Sequence, residues 1–241
     1  MDSDRKGRAS ALLATVFGLA AAGFAGRQLL FPYLARAQAD KALQAPLFRA
    51  LEQHEPATYQ IVRATMIEGI KAHRPMSEVA AATRPIIGQA AQKYLSKADD
   101  QALVDVVRAT VDEIEQAARK DPAVAYGIMY PGAAPRYVIG EFVDEKTLEA
   151  EVAATARLIE TGARNAASPQ DDAAAAKTLR EIAGELEKTY GEDVKLLDGG
   201  WRPGVDKKKV CEVRVAMYRA ILALPPRDAA QVLRLILSDR G

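Results

Sequence analysis

Cysteine is nearly missing from this chain: Cys211 stands alone in 241 residues. One thiol cannot close an internal disulfide, so packing alone must hold the fold. Cys211 lies among Val210, Val213 and Val215, a setting that predicts a buried, inert thiol. Histidine is almost as scarce, with only His54 and His73. No HExxH pattern occurs, and Glu52, His54 and Glu55 do not share one helical face. A zinc site takes three or four ligands. No metal and no cofactor is therefore expected.

The common catalytic signatures are missing too. There is no P-loop, no dinucleotide fingerprint and no Gly-x-Ser-x-Gly elbow. Beyond residue 26 the only serines are Ser77, Ser96, Ser168 and Ser238. Ser96 and Ser168 sit where helix starts call for caps. The reading therefore leans away from an enzyme. Paired carboxylates remain open, because counting acids says nothing about whether two of them flank a cleft.

An excess of one charge is lacking as well. Lys and Arg number 33 against 32 Asp and Glu, for a net charge of +1. The one basic run, Lys207-Lys208-Lys209, has no aromatic residue interleaved. A nucleic-acid surface shows a basic patch or stripe, so nucleic acid is not an expected partner.

In one place charge is absent altogether. Ala9 to Gly26 carries none over eighteen residues, with Arg5, Lys6 and Arg8 before it and Arg27 after. At about 1.5 Å per residue such a helix reaches roughly 27 Å, close to the thickness of a bilayer core. The basic residues in front predict an N-terminus in the cytoplasm and the remainder outside. The expected location is a bacterial inner membrane, single-pass, with the domain in the periplasm. The alternative is a cleaved signal ending at Ala37-Gln38-Ala39, which would release the domain after Ala39. Gly18, Ala22 and Gly26 recur every four residues, a small-residue face that offers a contact for a homodimer. The expected organisation is thus residues 1–39 as cytoplasmic tip, anchor (about 9–26) and linker, and residues 40–241 as one extracytoplasmic domain.

What fills that domain is helical periodicity. Apolar residues make up 49% and charged residues 27%, a globular balance. Tyr59, Val62, Met66 and Ile70 form one stripe; Leu103, Val107, Val111, Ile114 and Ala118 form another, with Asp105, Asp112, Glu113 and Glu115 outside it. Pro46, Pro56, Asp121-Pro122, Asp144, Ser168-Pro169-Gln170-Asp171 and Asp206 read as helix starts. Ser96 with Asp99 resembles a capping box. Pro85 should kink or split the helix holding it. Gly162 and Gly191 read as helix ends. Residues 207–222 are apolar on two faces, as in a central helix. Tyr137 to Phe142 reads as an extended connection. The expected fold is all-α, a single domain of eight or nine helices.

Two loops carry the residue types enriched where proteins recognise one another. One holds Tyr126, Tyr130, Arg136 and Tyr137; the other holds Trp201 and Arg202 between glycines. Each aromatic could instead plug its loop onto the helices. The expected function is interaction with an unknown protein partner, or scaffolding, in the cell envelope. The alternatives are an envelope-directed enzyme, such as a carboxylate-based glycan hydrolase, and a secreted helical domain binding a small ligand.

Overall fold

The computed structural model describes residues 39–130, 137–166, 168–198 and 204–238. Among them all regular structure is helical. Helix α1 spans Pro46–His54, α2 Pro56–Lys71, α3 Met76–Gln92, α4 Asp100–Lys120 and α5 Pro122–Met129. A short 3-10 turn at Ile139–Glu141 leads into α6 (Glu145–Arg164) and α7 (Asp172–Tyr190). A second 3-10 segment, Gly191–Leu197, precedes α8 (Lys207–Leu222) and α9 (Pro226–Ser238).

The helix starts follow their chemistry. Pro46 and Pro56 open α1 and α2, where the missing proline N–H costs nothing. The Asp121, Asp144, Asp171 and Asp206 side chains each accept a backbone N–H of the first turn of α5, α6, α7 and α8. The capping box expected at Ser96 does not form. Asp99 stands at the N-cap of α4 without a side-chain cap bond, because Asn165 donates to its carboxylate at 2.6 Å. Its backbone N–H donates to the Thr161 hydroxyl, so a tertiary link to the end of α6 replaces the local one. Ser168 caps nothing either; its backbone N–H donates to the Ser96 carbonyl, and Asp171 is the cap.

Pro85 lies inside α3, which runs through it unbroken. The helix tolerates the lost N–H because Ala81, whose carbonyl loses its partner, is exposed to water. Gly162 does not end α6; the helix continues to Arg164. A Cβ at Gly162 would stand 2.7 Å from the Tyr94 Cβ and 3.0 Å from its carbonyl oxygen, so this glycine is there for close approach. Gly191 does close α7, in the left-handed region at φ 55.

Helix α4 is the hub, packed against α5, α6, α8 and α9. Helix α8 is also central, touching α4, α5, α7, α9 and the second 3-10 segment, as its two apolar faces require. One large core joins Leu51, Val62, Leu103, Val104, Leu158, Ile159, Ile221 and Leu233. A smaller cluster gathers Ile114, Val124, Tyr126, Val210 and Cys211. No helix among the described residues is long and apolar enough to cross a membrane. The segment from Ala9 to Gly26, with Gly18, Ala22 and Gly26, lies outside them.

Candidate functional site

The smaller cluster brings the described ends of the two loops together. Tyr130 and Tyr137, at either end of one loop, both pack against it, and so do Leu196 and Val205, which bracket the other. Arg136, Trp201 and Arg202 lie outside the described residues. Tyr126 is inside: at 1% exposure it is among the largest fully buried side chains. Its ring centre is 4.7 Å from that of Tyr130. Lys207 stands 5.9 Å from the Tyr126 ring, within cation–π range. Tyr137 meets Phe142 edge-on at 6.4 Å.

Arg214 ties these pieces together. It is buried, and its Nη2 donates to the Tyr130 hydroxyl at 2.9 Å and to the Leu197 carbonyl at 3.1 Å. One guanidinium on α8 therefore holds the first residue of one loop and the approach to the other. Cys211 is buried beside them, its Sγ donating weakly to the Pro122 carbonyl at 3.7 Å. Burial pushes its thiol up to about 12, far from a reactive thiolate.

A second constellation lies where α3, α4 and α6 meet. Arg84 on α3 donates through one nitrogen, Nη2, to Glu113 on α4 and to Glu151 on α6, the latter at 2.7 Å. Glu113 is fully buried, not on the solvent face of α4 as its charge suggests. Its remaining oxygen, Oε1, is enclosed and has no hydrogen-bond partner among the described residues. Burial first, then the neighbouring Glu151 carboxylate, raises the Glu113 pKa to about 8 against the pull of Arg84. The shift favours the protonated form of the buried acid. Burial alone would lower the Arg84 pKa, but Glu151 and Glu113 outweigh it and raise it. The Tyr137 hydroxyl is raised by burial and by Glu113 despite Arg84, which links this junction to the loop end.

A signal for Glu113 is present in the sequence. Ala109, Glu113 and Ala117 follow at intervals of four on α4, and all three are buried. A row of small residues marks a face against which another helix presses, and the acid within it shares that burial.

A third arginine, Arg219 on α8, donates to Glu115 at 2.8 Å and to Asp112 at 2.5 Å, both on α4. These acids are partly exposed. The hydrogen bond from Arg219 lowers the Glu115 pKa, and the two acids raise that of Arg219.

Compared with known proteins, the chain matches no family model, no curated protein and no solved structure. Its function has to be argued from its own geometry.

Proposed function

We propose that this is an envelope interaction protein whose partner surface lies where the described ends of its two aromatic-and-arginine loops pack on one cluster. The observation that carries the reading is the shared fastening of those loops: Tyr130, Tyr137, Leu196 and Val205 pack on one small cluster, with Arg214 bridging Tyr130 and Leu197. Flanking residues held on one cluster lower the ordering cost of a partner that engages both segments. The location proposed with it is the periplasmic face of an inner membrane, reached through the uncharged segment Ala9 to Gly26.

The Glu113–Glu151 pair does not supply the carboxyls of the hydrolase alternative. A retaining glycosidase keeps its two carboxyls roughly 5–5.5 Å apart and an inverting one about 6.5–9.5 Å apart, with the scissile bond between them. Here Glu113 and Glu151 share one guanidinium nitrogen and lie within hydrogen-bond reach of each other, which leaves no room for a scissile bond between them. Glu113 is also closed to solvent, so no substrate oxygen reaches it.

A photo-crosslinking side chain tests the surface in intact cells. Placed at Asp198 or Lys208, both exposed beside the loops, it should give one shared adduct. Placed at Lys177 or Glu181, exposed on α7, it should give none. Adducts from α7 alone, or none at the loop end, would overturn the assignment. Protease added to spheroplasts should degrade the domain; protection would overturn the proposed orientation.

A further inference from the structure

We propose that the Arg84–Glu113–Glu151 junction is a proton-operated latch, in which one proton held between the two carboxyls keeps α3 seated on α4 and α6, and its loss loosens that seat. The idea stands apart from the partner surface and does not depend on it.

The geometry sets the latch at a weak point. Helix α3 packs along α2 and touches α6 and the first 3-10 turn only lightly. Its two ends are secured elsewhere. Val79 presses into the space left by Gly69 of α2, and the Tyr94 hydroxyl, just beyond α3, donates to Glu55 at 3.0 Å. Midway between them, Arg84 is the link from α3 to α4. The next residue, Pro85, removes one N–H from the helix ladder at that same step.

The charges around Glu113 can be followed element by element. Arg84 faces it from α3, Glu151 from α6, and the Tyr137 hydroxyl from ahead of the first 3-10 turn. Helix α8 turns Arg219 toward Asp112 and Glu115, the wet side of α4. Helix α9 sends Arg234 to Asp100, at the far end. Helix α5 contains no charged residue. A single arginine therefore serves two carboxyls. With one proton present the junction is neutral, and protonated Glu113 can donate to the Glu151 carboxylate. Without it, two carboxylates face one guanidinium, and Glu113 has an enclosed oxygen with no donor. Water is the available donor, and water reaches that oxygen only if the junction opens.

The sign follows from linkage. The closed junction holds its proton more tightly than the ordinary carboxyl, whose pKa is 4.5. The seat is therefore firmest in acid and loses stability as pH rises toward about 8. A conformer that hydrates Glu113 gains about tenfold in population per pH unit across that window, and nothing further above it.

Hydrogen exchange on the full chain reads this directly, with rates corrected for their intrinsic pH dependence. The population of open α3, followed in peptides from 76–92, should climb about tenfold per pH unit through neutrality and level off above about pH 8. Peptides from α8, clasped by exposed acids, should stay flat. Glu113→Gln should abolish the climb, since glutamine copies the protonated acid. If that variant does not fold, Glu151→Gln serves: it removes the competing carboxylate and should shift the climb to lower pH. A profile in α3 that matches α8 would overturn the latch, as would a climb that persists unchanged in either variant.

Discussion

Two arginines each clasp two acids near the same turn of α4, and the pKa of Glu113 at one clasp and of Glu115 at the other move in opposite directions. Arg84 and Arg219 are alike in exposure, at 35% and 38%. Their acids are not. Glu113 is 0% exposed and Glu151 22%, against 42% for Asp112 and 30% for Glu115. On the wet side the arginine prevails and lowers Glu115. On the dry side burial prevails and raises Glu113 despite the adjacent cation. An ion pair is thus defined by what water reaches, not by which residues meet. The dry clasp is the one that responds to pH near neutrality, and it joins three helices where the wet one joins two.

The largest effect that would break this contrast is in stability against pH. Glu113 alone should remove up to a few kcal/mol of folding stability between about pH 5 and pH 8. Denaturant melts of the wild type and Glu113→Gln should therefore diverge as pH rises, with the variant the more stable above pH 8. Parallel curves would place Glu113 in water.

Arg84→Ala comes next. It strands Glu151 and the deeper acid without a cation, and the expected loss is about 2–3 kcal/mol at neutral pH. Arg219→Ala should cost no more than about 1 kcal/mol, because water and counterions replace the guanidinium. That smaller loss should shrink further in high salt, while the Arg84 loss should hardly change. Equal losses at the two sites, or equal salt dependence, would erase the distinction.

The sequence makes the wet elements easier to read than the dry ones. Helix starts at Pro46, Pro56, Asp121, Asp144, Asp171 and Asp206 are legible because capping is a local matter of one side chain and one turn. Ser96 and Asp99 read as a cap but are not one, since Asn165 and Thr161, far along the chain, take over the bonds. Pro85 reads as a break but stays inside a helix, because the cost of a lost hydrogen bond depends on solvent, which sequence does not show. Of the candidate binding residues, Tyr126 is buried, while Tyr130 and Tyr137 are half-buried on the same small cluster. Neither the shared packing of Tyr130, Tyr137, Leu196 and Val205 nor the pairing of Glu113 with Arg84 and Glu151 is visible in periodicity alone. Both depend on how α4, α6 and α8 come together.

The central claim is that Glu113 holds a proton in a dry junction while Glu115, on the same helix, does not. Carbon-13 NMR of the glutamate carboxyls measures this residue by residue. The Glu113 carboxyl should titrate at about pH 8, with Glu115 falling below the ordinary carboxylate range. A Glu113 step at the ordinary carboxyl value, near 4.5, would contradict the account.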